Sequence, residues 1–255
     1  MARFLGVLYG FGAYCLFVGT LLYAVGFVGN LRVPKSIDSG MPGPIVESIV
    51  VDLLLLGLFA IQHSAMARPA FKRWWTRLVP PALERSTYVL LASLVLLLLF
   101  WQWRSIPDLV WNVENPVAAA VLSAIPWVGW VMLFFSTCLI SHFELFGLSQ
   151  VVARFLGREL PPSSFRTPAL YRYVRHPIYL SFLLAFWATP TMTVGHLLFA
   201  AASTGYILIA IQLEERDLVV LFGDRYRRYK RQVGMLLPLP GRRIPGRTTS
   251  PGAAE

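Results

Sequence analysis

Apolar residues along this chain fall into long unbroken runs, separated by short polar stretches that carry proline, glycine or arginine. A helix rises ~1.5 Å per residue and the hydrocarbon core of a bilayer is ~30 Å thick, so about 20 consecutive apolar residues cross it. Runs of this kind at 4–28, 46–65, 87–103 and 117–140 predict four transmembrane helices. The third is short, but it ends on Trp101 and Trp103, where an interfacial aromatic anchor belongs. The apolar stretch 178–213 is broken by Thr189-Pro190-Thr191 and by Gly195. Proline removes a helix donor and glycine loosens the backbone, so this stretch predicts a helical hairpin, 178–189 and 194–213. The expected fold is all-α: a polytopic membrane helix bundle of four spans plus a C-terminal helical hairpin, in one domain over 1–240. Residues 241–255 lack apolar periodicity and are expected to be a disordered tail.

Lysine and arginine alternate between the connections. The 66–86 connection carries Arg68, Lys72, Arg73, Arg77 and Arg85, and the 141–177 connection carries Arg154, Arg158, Arg166, Arg172 and Arg175. Nine more follow residue 214, whereas 29–45 holds only Arg32 and Lys35, and 104–116 only Arg104. By the positive-inside rule the basic connections and both termini are cytoplasmic. A returning hairpin then brings two polar clusters to the same face. One is Tyr171-Arg172-Tyr173-Val174-Arg175-His176-Pro177-Ile178-Tyr179; the other runs from Glu214-Glu215-Arg216-Asp217 through Tyr226 to Tyr229.

Composition supports the membrane reading: 56% of residues are hydrophobic and the mean hydropathy is +0.59. The net charge of +10 reads as membrane flanks, and nucleic acid is not an expected partner. Cys15 and Cys138 lie in apolar runs and read as small buried hydrophobes. The first apolar run is too long for the core of a signal peptide and lacks a small-residue cleavage site before polar sequence.

A few polar residues need an explanation. Asp52 sits inside the second span, where it is either a site acid or a partnered structural acid near the outer interface. His63, in Gln62-His63-Ser64, and His142, in Ser141-His142-Phe143-Glu144, terminate different spans at the level of His176. None of the three has metal-ligand spacing, so no metal site is assigned; a haem protein is a rival reading that an absorption spectrum would settle. His196 falls in the hairpin turn and reads as structural. Arg175-His176-Pro177 has a plain reading too, as positive-inside charge before a helix-starting proline. The acids at 214–217 are not favoured by that rule. They suit recognition of donors such as ribose hydroxyls or a cationic ligand, or surface ion pairs with their basic neighbours. A glycine-rich phosphate loop is absent, so a Rossmann-type site is not indicated.

Arg175-His176-Pro177-Ile178-Tyr179, Glu214-Glu215 and Phe222-Gly223-Asp224-Arg225-Tyr226-Arg227-Arg228-Tyr229 together resemble the carboxyl-terminal half of isoprenylcysteine carboxyl methyltransferases and related membrane methyltransferases. Gln62-His63-Ser64-Ala65-Met66-Ala67-Arg68, Glu84-Arg85-Ser86-Thr87-Tyr88 and His142-Phe143-Glu144-Leu145-Phe146-Gly147-Leu148 resemble the nurim-like branch and, within it, the bacterial methanethiol S-methyltransferases. The resemblance implies an S-adenosyl-L-methionine pocket at the cytosolic face. It implies that His176 and Tyr179 line it, Arg175 is available for the methionine carboxylate, Glu214 and Glu215 take polar hydrogens of the cofactor, and Tyr226 closes its edge. Which glutamate points inward the motif leaves open. The implied substrate is a small thiol, methanethiol, methylated to dimethyl sulfide. A thiolate nucleophile calls for a base or positive field, and His63 and His142 are the candidates, with Glu144 behind them. A lipidic or prenylcysteine-type acceptor and a non-enzymatic membrane scaffold are the rivals; assays of cofactor turnover and of cofactor binding separate them.

Overall fold

The computed structural model describes residues 1–40, 42–161 and 164–239; the tail expected at 241–255 lies outside the described residues. Five helices are long and apolar enough to cross a membrane: α1 (Ala2–Val28), α2 (Ile45–Ala67), α4 (Pro81–Gln102), α5 (Pro116–Leu139) and α9 (Val194–Phe222). Short helices α3 (Pro69–Trp75), α6 (His142–Leu145), α7 (Leu148–Leu156) and α10 (Asp224–Gln232) gather with a 3₁₀ turn (Ala169–Arg172) at one end of the bundle. The helices begin where their sequences can satisfy a free helix start. Proline occupies the first turn of α3, α4, α5 and α8 (Pro177–Trp187), and the Asn115 side chain accepts from the Val117 and Ala118 amides.

The predicted hairpin is present, with two differences. Its first arm, α8, stops at Trp187, because the residue before Pro190 is driven out of helical geometry. The chain then runs as a strand, β2 (Thr191–Thr193), antiparallel to β1 (Leu109–Asn112). That ribbon pairs backbone groups that a bare loop would leave unsatisfied next to the membrane. The second arm does not stop at 213. At 29 residues α9 is ~44 Å long, so it outruns the hydrocarbon core and carries Glu214–Asp217 out of the membrane on intact helix.

Two other expectations change. Trp101 is 70% exposed, as an anchor requires, but Trp103 is 1% exposed and donates its indole N–H to the Ile37 carbonyl at 3.0 Å. It belongs to the aromatic core formed with Phe27, Phe100, Phe186 and Phe199. Cys15 and Cys138 are free thiols on the outside of the bundle, not buried fillers; an apolar helix face in a bilayer needs no protein cover. Asp52 is fully buried; one of its oxygens accepts the Arg104 amide at 2.8 Å and the other has no partner among the described residues. His196 likewise ties to the Phe186 carbonyl at 2.9 Å.

α8 is held on one side by α9 and on the other by α5. The contact with α5 depends on Gly129: a Cβ there would stand 2.7 Å from the Ser181 carbonyl oxygen and 3.2 Å from Leu184 Cβ. Small residues allow such close helix approach where no hydrophobic effect drives association. Gly129→Leu should therefore push α8 off α5 and destabilise the bundle by about 1–3 kcal/mol. Thermal unfolding in detergent measures this, and an unchanged midpoint would mean that the two helices are not in register at Gly129.

Candidate functional site

The site is built at the end of the bundle where α8 begins and α9 leaves the apolar core. Pro177 starts α8, which leaves Arg175 and His176 as an extended approach to the helix. That approach is stitched to the segment after α10: the Arg175 amide donates to the Gly234 carbonyl at 2.8 Å and the His176 amide to the Met235 carbonyl at 3.2 Å. Opposite it stands Glu215, 2% exposed. One of its oxygens accepts from Arg175 Nε at 2.7 Å and faces His176 Nε2 at 3.1 Å. The other lies 2.6 Å from Lys230 Nζ on α10. A carboxylate this buried persists as an ion only when it is paired and hydrogen-bonded, and here both oxygens are.

The turn into α10 explains the Phe222-Gly223 pair. Gly223 has φ 55° and ψ −133°, a conformation that side-chain-bearing residues avoid. It ends α9 and folds α10 back so that Tyr226, Tyr229 and Lys230 share one helical face turned toward α8. Tyr229 donates to the Tyr171 carbonyl. Tyr226 is 2% exposed, and its hydroxyl finds no partner among the described residues. Burial, with the Glu215 carboxylate beside it, pushes the Tyr226 phenol above its ordinary range, so it stays a donor at neutral pH. Phe165 packs against Phe222, Tyr226 and Tyr229 and closes the outer side.

The two glutamates are thus distinguished. Glu215 is consumed within the protein. Glu214 has a side chain 43% exposed, is only loosely associated with His176 at 3.8 Å, and lies beside Tyr179. The expectation that Arg175 holds a ligand carboxylate meets a side chain already committed. Its Nε serves Glu215, and one terminal nitrogen serves the Lys230 and Val233 carbonyls at 2.9 and 2.6 Å. Arg175 thus holds Glu215 and the chain after α10 through Nε and one terminal nitrogen, and its second terminal nitrogen makes no hydrogen bond among the described residues.

His63 joins this site and His142 does not. The His63 ring lies 2.8–3.0 Å from the Tyr88 hydroxyl and stacks on Phe59; Tyr206 stands edge-on to it. The Tyr179 ring lies 5.6 Å from His176, within electrostatic reach of Glu214 on α9 and of Tyr88 and Tyr206, the two tyrosines beside His63. Arg68 and Asp217, 3.0 Å apart, bridge the same two helices further out. His142 sits in a separate nest of Tyr14, Phe134, Phe143 and Phe146, with Nδ1 at 2.8 Å from the Thr137 hydroxyl and Nε2 at 2.8 Å from the Tyr14 hydroxyl. Burial lowers its pKa, which favours the neutral ring. The Glu144 carboxylate makes no hydrogen bond or ion pair among the described residues; its backbone carbonyl accepts from the Gln150 side chain and the Gly147 amide. No group of His, Cys, Asp or Glu among the described residues is arranged to hold a metal ion. Two clefts, of about 490 and 470 Å³, lie elsewhere, on the α1–α4–α7 edge and on the outer face of α5.

Sequence reasoning passed over Tyr206 and Lys230. Tyr206 carried a usable signal, since a tyrosine deep in an apolar run needs a partner for its hydroxyl. Lys230 carried none within so basic a stretch. Replacing Glu215 by Gln should leave Arg175 and Lys230 facing a neutral group and lower stability by on the order of 3 kcal/mol, whereas Glu214→Gln should leave stability nearly unchanged. Thermal unfolding of both variants in detergent measures the contrast; equal midpoints would mean that Glu215 is not the clamp.

The chain is 57% identical to methanethiol S-methyltransferase 1 of Bradyrhizobium diazoefficiens, over 92% of its own length and 83% of that protein. It is 54% identical to the methanethiol S-methyltransferase of Mycobacterium tuberculosis, over 95% and 99% of the two chains. Rat nurim is a more distant relative, 34% identical over 72% of this chain and 73% of its own. No family model matches the chain, and no solved structure matches it. With the bacterial enzymes similar over nearly the whole chain and nurim over most of it, the chain belongs to the nurim-like family of membrane proteins, alongside the bacterial methanethiol S-methyltransferases.

Proposed function

We propose that the protein is an S-adenosyl-L-methionine-dependent thiol S-methyltransferase that converts methanethiol to dimethyl sulfide. Similarity to enzymes named for that substrate supports the reaction. The observation that carries the site is the convergence of His63 and Tyr88 with Tyr179, Glu214 and His176 at one end of the bundle.

The residues present fit the cofactor. Its amino and ribose groups are donors and its sulfonium is a cation. The half-exposed Glu214 carboxylate is the acceptor left free by the clamp on Glu215, and the Tyr226 hydroxyl, within electrostatic reach of both glutamates, is a donor without a partner among the described residues. Glu214, His176, Tyr179 and Tyr226 would hold the group, with Arg175 and Glu215 positioning them. Bound there, it supplies a methyl group that passes to the thiol sulfur as the carbon–sulfonium bond breaks. His63 takes the thiol proton. Tyr88, hydrogen-bonded to the ring, orients it, and the neighbouring aromatics keep water from the transfer. His142, with both ring nitrogens engaged by hydroxyls, supports the helix ends around the site instead.

A free cysteine thiol ionises unaided near pH ~8.5 and a simple alkyl thiol above that, so the base matters most at and below neutral pH. His63→Gln should lower dimethyl sulfide formation by about 100-fold at neutral pH, with the deficit shrinking as the pH rises past ~8.5. Cofactor affinity should hardly change. Glu214→Gln should do the opposite, weakening S-adenosyl-L-methionine binding about ten-fold in a protein of unaltered melting temperature. Headspace assay and equilibrium binding read these effects. Wild-type turnover of His63→Gln across the pH range would remove it as the base.

The orientation supported by the arginine and lysine pattern puts the site end and both termini in the cytoplasm. Reporter fusions after residues 35 and 110 should then report the outer side, and fusions after residue 75 and at the tail the inner side. A tail found outside would overturn this orientation.

A further inference from the structure

A groove of about 490 Å³ lies on the opposite flank of the bundle from the glutamate clamp, where the starts of α1 and α4 meet α7. Arg3 and Arg154 stand in its wall; Gly6, Tyr9, Leu83 and Val151 line it. Neither guanidinium has an ion-pair or hydrogen-bond partner among the described residues, although both stand in one small groove. Arg3 lies beside Gly157, the residue that ends α7. The lining between them is apolar apart from the Tyr9 hydroxyl, which is spent on Thr87 at 2.9 Å. α7 itself turns Val152, Phe155 and Leu156 outward while burying Val151. A short helix with that outward face suits the boundary between headgroups and acyl chains. The occupant must therefore be anionic at the Arg3–Arg154 end and apolar along Gly6 and Leu83, at the level where α1 and α4 enter the membrane.

We propose that this groove is a seat for one anionic phospholipid, its phosphate held between Arg3 and Arg154 and an acyl chain lying along α1 and α4. Paired guanidinium groups match phosphate oxygens by geometry as well as charge. Basic recesses between transmembrane helices at the cytoplasmic side are where such headgroups bind. The seat shares no residue with the methyl-transfer site.

The test uses the full-length protein purified in a neutral detergent. Phosphatidylglycerol, phosphatidylcholine of the same acyl chains and inorganic phosphate are each titrated, with bound lipid read by native mass spectrometry and affinity by thermal shift. One equivalent of phosphatidylglycerol should be retained, with phosphatidylcholine and inorganic phosphate far weaker. Arg3→Gln and Arg154→Gln should each weaken retention about five-fold and act together in the double variant. Arg158→Gln, which removes the same charge outside the groove, should leave it intact. Gly6→Leu narrows the groove beside Leu83 with both arginines kept, and should also displace the lipid. Equal losses from Arg158→Gln and Arg3→Gln would reduce the effect to net charge and overturn the seat. So would equal retention of phosphatidylcholine, or binding of inorganic phosphate as tight as that of the lipid.

Discussion

The functional end of this protein depends on one buried carboxylate. Glu215 lies where α9 emerges from the apolar core, and an isolated ion there would cost several kcal/mol. Its neutralisation by Arg175 and Lys230, with His176 beside it at 3.1 Å, draws together the approach to α8, the far end of α9 and the returning helix α10. The two cations come from different segments, so the ion cluster acts as a junction. Without it, Gly223 could still turn the chain, but Tyr226 and Tyr229 would be held only by Phe165, the Tyr171 carbonyl and the backbone bonds to Gly234 and Met235. The junction also frees Glu214: because its neighbour takes the local positive charge, Glu214 keeps an accessible carboxylate beside His176 and Tyr179.

The site sorts its histidines by the helices that carry them. His63 comes from α2, which packs on both α4 and α9, and is thus delivered toward Tyr88 and Tyr206. His142 follows a left-handed Ser141 at the end of α5, which swings the chain toward Tyr14 on α1. Equal membrane depth did not bring the two rings together.

The sequence made the architecture legible because hydrocarbon imposes one rule, that backbone groups be satisfied within a helix or a closed pairing. Run lengths therefore mark the spans, and Pro190 marks the break in the hairpin. What could not be read was direction. Burial of Trp103 beside an exposed Trp101, or of Glu215 beside an exposed Glu214, is set by helix rotation, which packing against neighbours decides. The committed state of Arg175 was hidden for a related reason, since the carbonyls it binds, at Lys230 and Val233, lie more than fifty residues downstream. The β1–β2 ribbon was invisible because neither strand is long enough to announce itself by alternation.

The stitching of residues 174–176 to residues 230–235 orders events during synthesis. Translation delivers the amino-terminal portion first, so the membrane helices can enter the bilayer and pack while the last cation for Glu215 is still inside the ribosome. The cluster closes only when α10 has emerged and folded back. A nascent chain is thus a seated bundle before it has a finished polar end, and completion of the chain, not membrane insertion, is the step that makes the site.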